Sequence, residues 1–274
     1  MKKLLFFATL LFTITFVACN KDEDEGTTKE DNVITTEDLL ATEDVVFDAE
    51  DEVDDIIENQ FSEVEVRDDC PTKTVTPAGN NYPKTITLDY GNGCTGPRGR
   101  VKKGKIVVEI SAPMNQAGAT RKLTFMDYYV DSAKVEGFTT LVNSRSDNNN
   151  PSFTRTTDVT ITFPDGDKAS WKGTHTHKVV SGGNTPRRFD DVIEITGNSM
   201  ITNRDGRSFS SEIIEPLRRA IVCPWISDGI RQVSRNGNEA TIDYGFGEPC
   251  DNKAQVTLPN GETRVIRIEP WWRR

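Results

Sequence analysis

From Cys70 to the C-terminus, apolar and polar residues alternate in short runs separated by Gly, Asn, Asp and Pro, the pattern of antiparallel strands joined by tight turns. Ile86, Leu88 and Tyr90 alternate with Thr87 and Asp89, and Val159, Ile161 and Phe163 alternate with Thr160 and Thr162. Further strands are predicted near 105–110, 121–130, 133–142, 169–180, 191–201, 207–214, 239–246, 254–258 and 263–269. Asp165-Gly166, Asp205-Gly206, Asn236-Gly237 and Asn260-Gly261 stand between runs, where hairpin turns take positive φ angles. The expected fold over 70–274 is mainly β, an antiparallel hairpin meander forming a curved sheet or a sandwich.

Upstream the period lengthens. Leu39, Val46, Ala49, Val53, Ile56, Ile57 and Phe61 are spaced by threes, fours and a seven, which predicts an amphipathic acidic helix from 36 to 61 within a segment ending at 66. Thr35-Thr36-Glu37-Asp38 supplies capping residues and early carboxylates for its start. Its apolar stripe is expected to dock on the β domain. Residues 19–35 carry too little apolar surface to offset their ordering entropy, so a disordered acidic tether is expected there. At the N-terminus, Lys2 and Lys3 precede an apolar run from Leu4 to Phe16, too short to span a bilayer; residues 1–18 read as a cleaved secretory leader.

Charge sharpens this division. The whole chain carries −10, but residues 20–70 hold 21 Asp/Glu against three Lys/Arg, while the remainder from 71 holds 28 Lys/Arg against 22 Asp/Glu. The acidity therefore belongs to the N-terminal segment, and the β region is basic.

Phe16-Val17-Ala18-Cys19 resembles the bacterial lipobox, with Phe16 where Leu is usual. The resemblance makes Cys19 the first mature residue and its acyl chains the contact with membrane lipid; two chains already hold a protein stably on a bilayer. The next six residues, Asn20-Lys21-Asp22-Glu23-Asp24-Glu25, resemble the lysine-plus-acidic export tag of surface lipoproteins of Bacteroidota, carried on Lys21, Asp22 and Glu23. That implies an outer-membrane location facing the medium. Read without the resemblance, they are a solvated acidic linker.

An internal repeat organises the β region. Thr87-Leu88-Asp89-Tyr90-Gly91-Asn92-Gly93-Cys94 aligns with Thr241-Ile242-Asp243-Tyr244-Gly245-Phe246-Gly247-Glu248-Pro249-Cys250, and each copy opens with a Cys-Pro pair, at Cys70 and at Cys223. The two units, 70–110 and 223–269, either pair across the domain or lie at opposite ends of it. With Cys19 set aside, four cysteines allow three pairings; equivalence of the repeats favours Cys70 with Cys94 and Cys223 with Cys250, in an oxidising compartment. No close Cys-x-x-Cys pair suggests a metal site.

Candidate chemistry is sparse. His175 and His177 point from one strand face, but zinc needs three or four ligands, and the flanking Thr174 and Thr176 suggest an exposed strand with solvent-facing imidazoles. Gly99-Arg100-Val101-Lys102-Lys103-Gly104-Lys105 has the spacing of a phosphate loop, but Ile106 stands where Ser or Thr is needed and a strand follows instead of a helix. Its basic residues read as a solvated hairpin, or as a contact for a polyanion. Ser199 lacks the closing glycine of a nucleophile elbow. Asp165, Asp167 and Asp147-Asn148-Asn149-Asn150 fit turns better than a calcium loop. No cofactor, metal or catalytic residue is assigned. Tyr128 and Tyr129 occupy opposite faces of one strand, and Trp271-Trp272 close the chain; these rings are the candidate binding surface, with core packing the simpler role for the tyrosines and a sealing flap for the tryptophans.

The repeated Asp-Tyr-Gly-x-Gly-Cys hairpins and the Gly-Arg-x-x-x-Gly-Lys-Ile hairpin at 99–106 resemble an uncharacterised family of Bacteroidota lipoproteins. The expectation is a surface-exposed, lipid-anchored module of the cell envelope that binds an extracellular glycan or an envelope protein, or is structural, without catalysis. A secreted hydrolase acting on glycan or peptide is the alternative, and nucleic acid is a poor partner for an exported chain.

Overall fold

The computed structural model describes residues 29–59, 70–96, 98–145, 151–183, 185 and 188–273. One long helix, α1 (Lys29–Asn59), is followed by fourteen strands: β1 (Thr72–Thr76), β2 (Lys84–Asp89), β3 (Cys94–Thr95), β4 (Val101–Ile110), β5 (Thr120–Val130), β6 (Ala133–Asn143), β7 (Ser152–Thr162), β8 (Lys168–Ser181), β9 (Val192–Thr202), β10 (Ser208–Ala220), β11 (Asp228–Arg235), β12 (Asn238–Asp243), β13 (Lys253–Thr257) and β14 (Thr263–Arg267). All pair antiparallel in a single open sheet, in sequence order except that the two-residue β3 sits beside β4, off the main path. The expected meander of hairpins is present, as one curved sheet.

The sheet curls around α1. At 31 residues the helix is about 46 Å long, and from Asp31 to Val53 nearly every side chain on every face is buried. The expected one-sided docking is thus replaced by enclosure. The helix also begins at Lys29, so residues 29–35, expected in the tether, are helical. The Asp31 carboxylate meets the Arg207 guanidinium just before β10, a contribution that composition alone leaves out. Thr35, Thr36 and Thr42, inside the helix, donate their hydroxyls to the carbonyls of Asp31, Asn32 and Asp38 at 2.6 to 2.8 Å, which satisfies polar groups that no water reaches. The leader, Cys19, Lys21, Asp22, Glu23 and the helical segment expected over 60–66 lie outside the described residues.

Turn chemistry follows the residues. Asn236 and Gly237 both take positive φ (51° and 77°), as a two-residue hairpin requires, and Gly166, Gly206 and Gly261 are left-handed at the other predicted turns. Asp131-Ser132 forms a further two-residue turn with both φ positive between β5 and β6. Gly104 faces a register shift between β4 and β5, where an added Cβ would overlap the Asp127 carbonyl; bulges of this kind bend a strand and tighten the curl.

The two repeat units lie near opposite edges of the sheet and do not pair strand to strand. Each uses the same local device. Asp89 and Asp243 accept the amides of Gly91 and Gly245 at 2.9 and 2.8 Å, and the amides of Tyr90 and Tyr244 donate to Gly104 and Gly229, both glycines with positive φ. Cys70 with Cys94 and Cys223 with Cys250 are within disulfide distance, with Cα separations of 6.2 and 5.6 Å. Each bridge closes a loop of 24 or 27 residues, a constraint on the unfolded chain of about 3 kcal/mol. Cys94→Ser and Cys250→Ser should each lower unfolding free energy by about that amount in denaturant titrations. Peptide mapping without reduction should show only the two intra-unit links.

Candidate functional site

The interior carries an unusual number of charged side chains, seven carboxylates of α1 among them. Asp44, Asp48 and Glu52, one helical turn apart, face β4 and the turn that leads into it: Arg98 reaches Asp44 at 2.8 Å, Arg100 also binds Asp44, and Lys102 of β4 lies 2.8 Å from Asp48 and binds Glu52. On the other side Arg231 of β11 grips Glu43 with two bonds of 2.7 Å. Toward the helix C-terminus, Asp51 pairs with Arg219, Asp54 with Arg121 and Arg188, and Glu50 accepts from Thr139 at 2.7 Å beside Arg155 at 3.2 Å. Near the N-terminus, Asp38 accepts the Arg204 amide and side chain at 2.7 and 2.8 Å, and Asp31 meets Arg207. The helix is a polyanion in a cationic sleeve.

The basic hairpin at 98–105 takes its explanation from this arrangement. Expected to be solvated or to meet a polyanion, it turns Arg98, Arg100 and Lys102 onto the chain's own helix, while Lys105 pairs outward with Asp89 at 2.8 Å and Lys103 covers the Tyr129 ring. Burial alone would raise the Asp48 carboxyl, but Lys102, Arg100 and Arg98 outweigh it and hold it below the ordinary range. At Asp38 the balance tips the other way: burial outweighs Arg204 and the carboxyl is raised.

His175 and His177 correct the expectation of solvent-facing imidazoles. Both point inward, with Thr174 and Thr176 outside; the alternation was right and the face was not, because the inner face of this sheet is itself polar. His175 packs on Trp171, with ring centroids 5.7 Å apart, opposite Gly197, which leaves room for it. Burial, then Arg231 and Arg155, push His175 down to about 3; burial and the guanidiniums of Arg155, Arg219 and Arg121, with His175, push His177 well below its ordinary value. Among the described residues no group of three or more His, Cys, Asp or Glu is placed to hold a metal.

The candidate aromatic residues separate. Tyr128 is fully buried, 5.5 Å from the Tyr90 ring and 5.4 Å from Phe125, and burial raises its hydroxyl well above the usual value. Tyr129 lies on the opposite face, half-buried under Lys103. Trp271 and Trp272 fold back onto Phe163 at 5.2 and 5.1 Å, with Arg204 stacked on Trp271 at 4.3 Å, closing the end of the sheet that holds the helix N-terminus. Ser199 lies in β9 and is buried; Asp147 to Asn150 lie outside the described residues.

At the opposite end, a cavity of about 400 Å³ has apolar walls from Phe47, Ile57, Leu141, Phe153, Val179 and Ile195. Arg121, Arg219 and His177 also face it, but both guanidiniums are bound to the helix. The interior charges without a local signal in the sequence, above all Arg155, Arg219 and Arg231, sit at inward positions of β7, β10 and β11 beside Val159, Leu217 and Val233. Their signal was the basic surplus after residue 71 set against the acidic surplus before it.

Removing one member of a buried ion pair strands the other, at a cost of about 3 to 5 kcal/mol. Glu43→Ala should therefore lower the unfolding free energy by about that amount in urea, whereas Glu262→Ala, which removes an exposed partner of Lys29, should leave the midpoint unchanged. The histidines add a pH dependence. The unfolded chain takes up a proton at His175 near pH 6.5 that the folded chain refuses until about 3, so stability falls as pH is lowered through that window. His175→Phe should reduce the slope of unfolding free energy against pH there, leaving the share that His177 contributes, as measured by urea titrations at a series of pH values. Comparison with protein-family models, with curated proteins and with solved structures returns no match.

Proposed function

We propose that this chain is a lipid-anchored protein of the bacterial outer membrane, facing the medium, whose helix-filled sheet is a non-catalytic binding or structural module of the envelope. The observation that carries the reading is the N-terminal order: a leader, Phe16-Val17-Ala18-Cys19, the acidic block from Lys21 to Glu25, and a helix starting at Lys29. The nine residues between Cys19 and Lys29 span at most about 33 Å when extended. An anchored domain would then stand close to the bilayer. Its membrane-facing end would be the one holding the helix N-terminus, the turns at Gly206 and Gly261 and the tryptophan flap.

The interior supports binding or scaffolding over the hydrolase alternative. A glycosidase needs two carboxylates converging on an open cleft, one of them free to act as a base. The interior carboxylates here face guanidinium or ammonium partners that fix the helix. The expected oxidising compartment agrees with two cysteine pairs at bonding distance.

Protease treatment of intact cells, followed with an antibody to the C-terminal region, should degrade the β domain without lysis. Cys19→Ala should release the protein from membranes in fractionation. Protection until lysis would overturn surface display, and retention of the Cys19→Ala variant on membranes would overturn the lipid anchor.

A further inference from the structure

The outer face of the sheet carries a groove of about 690 Å³ that crosses β6 to β11. Its position follows from three glycines. A Cβ at Gly137 would overlap the Asp158 carbonyl, one at Gly173 the Ser199 side chain, and one at Gly197 the Thr174 carbonyl. Only glycine allows neighbouring strands to bend together so closely, and the outer surface dips where they do. Thr157, Gly173, Ser199 and Ser211 form the floor.

Strand register arranges the walls as two rows at right angles to the strands. Phe138, Asp158, Lys172, Met200, Ser210 and Ser234 are successive cross-strand partners in one row. Thr156, Thr174, Asn198, Glu212 and Gln232 are partners in the other. Six strands at the usual spacing make a track about 24 Å long.

The chemistry of this track selects a ligand class. Short amides, hydroxyls and carboxylates offer donors and acceptors side by side, which suits vicinal hydroxyl groups, and the exposed Met200 offers an apolar plate for the C–H face of a sugar ring, while Phe138 at the end of the row lies under Lys122 at 4.9 Å. Charge argues against a polyanion: Asp158 and Lys172 are paired at 3.2 Å, which leaves Glu212 as the net charge. An extended peptide joins a sheet at its edge through main-chain bonds, whereas here the backbone is already paired on both sides. We propose that the outer face of β6–β11 is a binding track for an uncharged oligosaccharide lying across the strands.

This identifies a ligand class for the surface module proposed above, and its test does not depend on where the protein resides. The purified full chain in mild detergent is run in native gels containing a neutral β-glucan, xylan, galactomannan or α-mannan, with a sulfated polysaccharide as the charged comparison. Retardation by at least one neutral polymer is expected, with Asn198→Ala and Glu212→Ala each weakening the apparent Kd about tenfold or more. Both side chains are exposed, so the variants keep the fold, and Glu109→Ala on the distant β4 should bind as the native chain does. Retardation by the sulfated polymer alone, by none of the neutral polymers, or equally in the Asn198 and Glu212 variants would overturn the proposal. Binding with these losses in a protein that proves periplasmic would leave the track standing and remove only the surface location.

Discussion

Taking a carboxylate out of water costs several kcal/mol unless a cation meets it, and α1 takes more than half a dozen out at once. That requirement orders the rest of the molecule. It explains why a sequence with an acidic N-terminal segment continues into a basic β region, and why Arg100, Lys102, Arg155, Arg219 and Arg231 point to the inside of a sheet among Val, Ile, Leu and aromatic residues. It also explains why the helix is buried on all faces: a flat sheet would satisfy one stripe, whereas pairs from β4 on one side and β11 on the other satisfy the carboxylates all round. Neither helix nor sheet would be stable with this interior alone.

Guanidinium dominates the sleeve for a physical reason. Its flat face stacks on rings while its edge binds carboxylate, so one side chain can bridge the apolar and ionic parts of the core. Arg155 lies over Phe47 at 4.7 Å and Trp171 at 5.2 Å while approaching Glu50, and Arg219 lies over Phe47 at 5.2 Å while holding Asp51. The repeat uses the same combination at both edges of the sheet. Lys102 stands 5.9 Å from the Tyr90 ring and Arg231 5.9 Å from the Tyr244 ring, each cation also bound to a helix carboxylate. The Asp-Tyr-Gly motif therefore positions an inward tyrosine beneath an ion pair, a role that its resemblance to a turn sequence did not reveal.

What could be read from the chain was what depends on neighbours in sequence. Alternation placed most strands within a few residues, Asn-Gly and Asp-Gly marked the turns, and the duplicated Cys-Pro and Asp-Tyr-Gly elements gave the cysteine partners. What depends on the opposite wall was not legible. β11 has no alternating apolar signal because its inward residues are Gly229, Arg231 and Val233, the pattern being broken by the guanidinium that the helix requires. The face of His175 is hidden for the same reason: polar neighbours in a strand ordinarily mark solvent, whereas the polar medium here is the helix and its cations. The groove on β6–β11 has no local signature, since its rows join residues far apart in the chain.

The topology also constrains how such a core can assemble. Every ladder of the main sheet joins strands close in sequence, and hairpins of this kind form from short-range contacts. The helix contacts are of another order, Glu43 reaching Arg231 across 188 positions and Asp44 reaching Arg98 across 54. A meander that curled without the helix would gather its cations on one concave surface with nothing to neutralise them, and their repulsion would oppose the curl. The same carboxylates that make α1 a poor helix to bury on its own therefore favour closure of the sheet once they are present. Helix capture and sheet curvature therefore favour one another, and the carboxylates from Asp31 to Asp54 are part of the domain's interior.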